Sequence, residues 1–167
     1  TAFATSSIEN RPILTGVNFK IDGKTLKAIA TDSYRLSQKQ IEMEENYEPL
    51  NIIIPGRSLD ELIKVLENNN EVVELHFDHS KILFKYNNVL FQSRLLEGNY
   101  PETSKLVPTE FPIVIKFNKE NLTTAIERAS LLSSRDGNNS IVKLSLRQDN
   151  IVEITSNSPE IGKVLEE

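Results

Sequence analysis

Val17-Asn18-Phe19-Lys20-Ile21-Asp22-Gly23-Lys24-Thr25-Leu26-Lys27-Ala28-Ile29-Ala30 is the stretch that decides the fold class. Val17, Phe19 and Ile21 alternate with Asn18 and Lys20, and a period of two puts the two sets on opposite faces of a strand. Asp22-Gly23 interrupts the alternation with the dipeptide of a tight reversal, because Gly accepts the positive φ that such a turn needs. The stretch therefore predicts a β-hairpin. Beyond it, Arg35 to Met43 stays extended and Asn51 to Ile54 is a β-branched run closed by Pro55.

At Ser58 the period changes. Ser58-Leu59-Asp60-Glu61 fits a capping box, and Leu59, Leu62, Ile63 and Leu66 then fall on one helical face. This helix is expected to run to about Glu67 and fray through Asn68-Asn69-Asn70. Strands are expected from Val72 to Phe77, Lys81 to Tyr86 and Val89 to Leu95. Pro101, Pro108 and Pro112 then resist both helix and central strand, so this region reads as an ordered loop or linker. After it, Ile113, Ile115 and Phe117 alternate as a strand. Asn118 can cap a helix carrying Leu122, Ala125, Ile126 and Ala129 on one face. Gly137-Asn138-Asn139 marks a turn, Val142, Leu144 and Leu146 alternate again, and the last strand expected is Ile151 to Thr155.

The late strands echo the early ones. Val17 to Ile21 overlays Val142 to Leu146, and Leu26 to Ile29 overlays Ile151 to Ile154, both without gaps at an offset of 125. Any two hairpins share such alternation, so chance similarity stays open beside a true repeat. A true repeat makes the unit about one domain long and puts a boundary near Phe111 to Val114.

Composition narrows the class. With 38% hydrophobic and 26% charged residues and no Cys among 167 positions, the chain is neither collagen-like, disulfide-stapled nor disordered. A formal charge of -5 argues against gripping nucleic acid by bulk electrostatics, which calls for a basic surface. The apolar runs are far shorter than the ~20 residues that cross a bilayer, and Thr1 opens no signal-peptide pattern, so a cytoplasmic chain is the expectation. The start at Thr and the charged end Leu165-Glu166-Glu167 fit a piece of a longer chain.

Without Cys, thiolate catalysis is excluded and His76 and His79 are the only imidazoles. His76, Asp78 and His79 have the chemistry of metal ligands, but alternation points His76 away from the face of Val73, Leu75 and Phe77, which favours solvated strand-end residues. Asp32-Ser33 makes a nucleophile only beside a base and otherwise reads as a turn. Glu42, Glu44 and Glu45 fit a solvated face. No Gly-rich phosphate loop is present. The expectation is a protein with no catalytic residues, no metal and no cofactor. The alternative is a small α+β hydrolase or lyase using His76 or His79, and a β-rich interaction module is a third reading.

Four stretches in order go further: Arg11-Pro12-Ile13-Leu14-Thr15-Gly16-Val17, Ala30-Thr31-Asp32-Ser33-Tyr34-Arg35-Leu36, Ile53-Ile54-Pro55 and Arg94-Leu95-Leu96-Glu97-Gly98-Asn99-Tyr100-Pro101. Together they closely resemble the bacterial DNA polymerase III β subunit, the replication sliding clamp. The resemblance implies an α+β DNA-clamp fold, with antiparallel sheets outside and helices lining the inner face, truncated at both ends. Residues 1–112 would be the middle domain lacking its first helix, and 113–167 the first half of the third domain. About 130 residues would precede Thr1 and roughly 80 to 90 follow Glu167, if three units of the offset length are completed.

The same resemblance implies the function: a non-catalytic processivity factor, a homodimeric ring that encircles double-stranded DNA without reading sequence. It works in the bacterial cytoplasm on the nucleoid, away from membranes, and needs no cofactor. The replicative polymerase and the clamp loader would dock through linear peptide motifs. By resemblance the peptide pocket maps to Leu14, Thr31, Ser33, Tyr34, Arg35 and Leu36, and across the proline loop to Pro101, Lys105 and Leu106. Tyr34 stands where many members carry His. Arg57, with Arg11 and Lys64 behind it, would face DNA, although the helix residues Asp60, Glu61, Lys64 and Glu67 sum to -2. Leu131 and Leu132 would form the subunit interface, their other reading being ordinary helix core.

Overall fold

The computed structural model describes residues 1–8, 10–66, 71–131, 141–148, 151–158 and 162–166. Two units divide them, Thr1–Val107 and Pro108–Glu167.

In the first unit, 3-10 turns at Ala2–Ala4 and Pro12–Thr15 lead into β1 (Gly16–Thr31), which pairs antiparallel with β2 (Leu36–Pro55). The register runs from Gly16 opposite Pro55 to Thr31 opposite Leu36, with shifts on either side of Gly23. A straight strand of this length would separate its ends by about 50 Å. Instead both ends touch one atom: the Tyr100 hydroxyl accepts the Thr31 N–H at 3.0 Å and donates to the Gly16 carbonyl at 3.5 Å. β1 therefore doubles back on itself. The position within it that has a left-handed backbone is Gly23, at φ 60°, so the reversal expected at Asp22-Gly23 is present while the extended conformation runs on through it.

Helix α1 (Gly56–Val65) follows, then the antiparallel sheet β3 (Glu74–Phe77), β4 (Lys81–Tyr86) and β5 (Val89–Arg94). Val17, Ala30, Ile54, Leu59, Leu62, Ile82 and Phe84 form the core between these elements. Asn18 is also buried, but its amide is satisfied by Asn51 Oδ1 at 2.6 Å and the Ile52 carbonyl at 3.1 Å, so it carries no desolvation penalty.

The expected capping box does not form. α1 starts two residues before Ser58, with Pro55 at its N-cap and no side-chain cap, so Ser58 stands inside the first turn rather than at the cap. The Ser58 hydroxyl instead accepts a bond from Ser93 Oγ at 2.8 Å, and Glu61 accepts one from Lys64 at 2.8 Å. Ile63 also departs from expectation: it is 63% exposed, since the apolar stripe of so short a helix is spanned by Leu59 and Leu62. Val72 is likewise exposed and β3 begins at Glu74. α1 ends at Val65, short of the end expected at about Glu67, with Leu66 extended and its N–H on the Leu62 carbonyl; the Asn run lies outside the described residues.

In the second unit, α2 (Lys119–Leu131) starts from the expected cap, with the Asn121 N–H donating to Asn118 Oδ1 at 3.1 Å. Ala129 is buried and Leu122, Ala125 and Ile126 are half-buried beside it. β6 (Val142–Leu146), β7 (Val152–Ser158) and β8 (Gly162–Glu166) form an antiparallel sheet in that order. Two expectations fail here. Ile113, Ile115 and Phe117 form no strand and are exposed, because alternation makes a strand only where a neighbour supplies hydrogen bonds, and none of the described residues does. The last strand is also not Ile151 to Thr155. β7 runs on to Ser158, which pairs with Gly162, and β8 follows; ladder pairing on both sides of β7 overrides the turn preference of Ser156-Asn157-Ser158. The turn expected at Gly137-Asn138-Asn139 lies outside the described residues. Both members of the overlay at an offset of 125 are chain reversals, one inside β1 and one between β6 and β7.

Burial holds the Tyr100 hydroxyl above its ordinary pKa of 10.0, against a smaller opposing effect of the Thr31 N–H. The neutral phenol is the stabilising form, so its contribution is complete below pH 10 and lost as pH rises through the raised value. Tyr100→Phe should destabilise the first unit by about 1 kcal/mol at neutral pH. It should also flatten the alkaline limb of a thermal-denaturation series; an unchanged alkaline limb would show that Tyr100 does not govern it.

Candidate functional site

A cleft of about 570 Å³ lies in the first unit, lined by Arg11, Pro12, Ile13, Leu14, Thr31, Ser33, Asn99, Pro101 and Leu106. Each wall is fixed by its own local chemistry. The first is the Pro12–Thr15 turn, in which Thr15 Oγ1 donates to the Pro12 carbonyl at 2.6 Å and the Leu14 carbonyl accepts the Ser6 N–H at 2.8 Å. Leu14 is buried at the cleft floor.

The second wall is the turn from Thr31 to Arg35. Asp32 Oδ1 accepts the N–H groups of Tyr34 and Arg35, both at 3.0 Å, and its Oδ2 accepts Arg35 Nε at 3.0 Å. Thr31 Oγ1 donates to the Arg35 carbonyl at 2.7 Å and accepts the Ser33 N–H at 3.1 Å. This network holds Ser33 at φ 78°, a left-handed conformation that a non-glycine residue adopts only under such restraint. The backbone N–H of Arg35, the strongest influence, and then that of Tyr34 and the Arg35 charge hold the Asp32 carboxyl below its ordinary 3.8, against some desolvation.

The third wall is the proline loop. The Leu96 N–H donates to the Ile53 carbonyl at 2.9 Å, anchoring the loop's start to β2. Gly98, at φ 133°, lets it pass so close to Ile13 that a Cβ would lie 2.7 Å from Ile13 Cδ1. Pro101 and Leu106 then face Leu14 and Pro12 across the opening. An apolar floor with Arg11, Ser33 and Asn99 at its edge can take apolar side chains of an extended peptide while polar groups fix its register.

Of the residues that the resemblance assigns to a peptide pocket, Leu14, Thr31, Ser33, Pro101 and Leu106 line this cleft, while Tyr34, Arg35, Leu36 and Lys105 do not. Tyr34 is 96% exposed beside it. The Arg35 guanidinium pairs with Asp32 and lies 6.0 Å from the Phe3 ring centroid. Leu36 pairs with Thr31 at the start of β2, and Lys105 is exposed on the loop. Pro12, Ile13 and Asn99 were missed, although each lies inside a stretch that carries the resemblance. Arg11, expected to face DNA, donates to Ser33 Oγ at 3.4 Å within the cleft wall.

Elsewhere, Arg57 is exposed in the first turn of α1. Lys64 is exposed but bound to Glu61 at 2.8 Å; that hydrogen bond, then the charges of Lys64 and Arg57, lowers the Glu61 pKa against a smaller desolvation effect. Leu131 ends α2 with 77% of its surface exposed, so its reading as helix core fails; Leu132 lies outside the described residues. His76 Nε2 lies 3.1 Å from Glu74 Oε2 at the rim of an apolar groove, but Lys85 binds the same carboxylate at 3.0 Å and all three side chains are about half exposed. His79 is exposed, and Asp78 accepts the N–H groups of Ser80 and Lys81, both at 2.7 Å. A water-screened pair shared with lysine lacks the recessed acid–base geometry that the hydrolase or lyase reading requires.

Residues 1–102 match the family model for the DNA polymerase III beta subunit, central domain, and residues 104–167 the model for its C-terminal domain. The beta sliding clamp of Bacillus subtilis (strain 168) is 48% identical over 167 residues, which are 99% of this chain and 44% of that relative. The beta sliding clamp of Streptococcus pneumoniae serotype 4 is 49% identical, over 100% of this chain and 44% of its own length. The crystal structure of the Bacillus subtilis DNA polymerase sliding clamp superposes with a TM-score of 0.89 at 47% identity, over 99% of this chain and 44% of that one. The beta subunit from Thermotoga maritima, at 22% identity and a TM-score of 0.79 over 99% of this chain and 44% of its own, shares the fold. The chain thus spans less than half the length of these relatives.

Because the Asp32 pKa is lowered, its hold on the turn is present above pH 3.8 and lost as pH falls through the lower folded value. In an NMR titration the amide signals of Tyr34 and Arg35 should shift together with a midpoint below 3.8, and Asp32→Asn should abolish that shared step. Independent midpoints for the two amides would dissociate the turn from Asp32.

Proposed function

The chain belongs to the bacterial DNA polymerase III beta-subunit family, and on that footing we propose that it serves in a DNA sliding clamp. The clamp is a non-catalytic ring that keeps a replicative polymerase on duplex DNA by encircling it, and its cleft receives linear peptides of the polymerase, the clamp loader and repair partners. Residues 1–112 supply a middle domain without its first helix, and residues 113–167 the first half of a third domain. The observation that carries the peptide reading is the convergence of Leu14, Thr31, Ser33, Pro101 and Leu106 on one cleft. Tyr34, Arg35, Leu36 and Lys105 border it as partner contacts.

The ring reading accounts for the charge. A protein at -5 that encloses DNA does not need to grip it, and weak phosphate contacts without base readout leave it free to slide. Arg57 is the leading phosphate contact, with Lys64 and Arg11 secondary because each already has a protein partner. Leu131, with Leu132 after it, meets the neighbouring subunit of a homodimeric ring, and its 77% exposure supports that use. Such a protein works in the cytoplasm on the nucleoid. Among the described residues no helix is long and apolar enough to cross a membrane.

In the full-length protein, Leu106→Ala should weaken binding of a clamp-binding peptide about tenfold, a loss of ~1.4 kcal/mol, because it removes an apolar anchor. Leu106 is 61% exposed, so the melting temperature should hold. Leu90→Ala, at an exposed position outside the cleft, is the matched control. Equal affinities for the two variants would remove the cleft assignment.

Arg57→Ala should lower the slope of log affinity for DNA against log salt by about one unit, and Lys64→Ala by less. Equal slopes for Arg57→Ala and wild type would take Arg57 off the DNA surface.

A further inference from the structure

Beside the apolar cleft lies a second, polar trough of about 250 Å³, bounded by the β1–β2 face on one side and by Glu102 to Ser104 of the proline loop on the other. The two share a wall: Pro101 and Leu106 line the cleft, and Glu102, Thr103 and Ser104 between them line the trough. They also share a strand face. Lys27, Ile29 and Thr31 point the same way by the alternation of a strand, opposite Gln40, Gln38 and Leu36 in the register. Thr31 belongs to the cleft, and Lys27 and Ile29 to the trough. With a rise of ~3.3 Å per residue, Lys27 is about 13 Å from Thr31, the span of about four residues of extended peptide.

The trough holds unused hydrogen-bonding groups. Lys27 and the side-chain amides of Gln38 and Gln40 have no partner among the described residues. Its acidic members are placed differently. Glu102 Oε1 accepts the Ser104 N–H at 3.1 Å; the Ser104 side chain and backbone N–H are the main causes of its lowered pKa, with Lys20 and Lys105 adding smaller contributions. Asp22 sits at the far end, next to the Gly23 reversal. Lys20 and Lys27 thus balance Asp22 and Glu102 along the trough, Glu102 adjoining Pro101 of the cleft, and the Lys27 ammonium, flanked by the Gln38 and Gln40 amides, suits a carboxylate followed by hydrogen-bonding backbone.

We propose that this trough takes the acidic flank of a linear partner peptide whose apolar anchors occupy the neighbouring cleft, so that Lys27, Gln38 and Gln40 select among partners with equivalent anchors. The proposal rests on the peptide-binding reading of the cleft. Rim charges of this kind act mainly on discrimination and salt dependence.

The test is a fluorescence-anisotropy titration of the full-length protein at low and at physiological salt. The probes are the clamp-binding peptide of the Leu106→Ala test, the same peptide extended at either end by Asp-Asp-Glu-Asp, and matched extensions of Asn-Asn-Gln-Asn. At low salt one acidic extension should bind about three- to five-fold tighter than its uncharged match, and that gain should shrink at higher salt. Lys27→Glu with Gln40→Ala should erase the gain while leaving the unextended peptide's affinity and the melting temperature unchanged. Equal affinities for acidic and uncharged extensions, or a gain that survives the double variant, would overturn the trough alone. If the unextended peptide fails to bind, the cleft reading falls and the trough proposal with it.

Discussion

A single phenol oxygen organises the first unit. The Tyr100 hydroxyl takes the Thr31 N–H and reaches the Gly16 carbonyl, so it joins the two ends of a doubled-back strand to a loop far along the chain. Together with the Leu96 N–H on the Ile53 carbonyl and the close approach of Gly98 to Ile13, that link sets the loop from Asn99 to Leu106 against Leu14 and Thr31 as the cleft's third wall. Gly16 is the necessary counterpart. A Cβ there would lie 2.5 Å from Ile53 Cγ2 and 2.8 Å from Leu96 Cδ1, so the absence of a side chain lets the loop's start bond to β2. The hydrogen bonds contribute modestly, about 1 kcal/mol each; their importance is that they join segments that local preference alone would leave apart.

Local signals in the sequence were accurate wherever the determining partner was close by. Asp22-Gly23 announces a reversal, Asn118 announces α2, and the alternation from Lys81 to Tyr86 announces β4, because in each case the neighbouring residues settle the conformation. The errors fall where a distant partner decides. Ser58 and Glu61 have the spelling of a capping box, yet Ser93, 35 residues on, bonds the Ser58 hydroxyl. Ile113 to Phe117 has the spelling of a strand without a ladder to join, and Gly162 to Glu166 is a strand because β7 pairs with it. For the site, order and identity of short stretches located three of the cleft's walls. The exchange of Tyr34, Arg35, Leu36 and Lys105 for Arg11, Pro12, Ile13 and Asn99 depends on how the turn and loop are folded, which spacing does not encode.

A minority of the surface charges is held in local pairs. Glu61 with Lys64, Glu74 with Lys85 and Asp32 with Arg35 are exposed ion pairs in which each carboxylate is held by a near neighbour. Such pairs add little to stability. Other cations, among them Lys27, Lys39, Arg57 and Lys119, lie outside the ion pairs of the described residues. Arg57 and Lys27 stand out against that background for their position rather than for the charge of the whole.

The Tyr34 turn has a consequence for how such a protein changes over time. The bonds that shape it come from the Asp32 carboxylate, the Thr31 and Ser33 hydroxyls, the Arg11 and Arg35 guanidinium groups and the backbone, and none of these uses the phenol of Tyr34. Surface substitutions free of such duties usually alter stability by less than about 0.5 kcal/mol. The side chain at this position is thus unlinked from folding while its location beside the cleft is inherited with the backbone. Lineages are free to rewrite what stands at the cleft's edge, one residue at a time, without disturbing the scaffold that presents it.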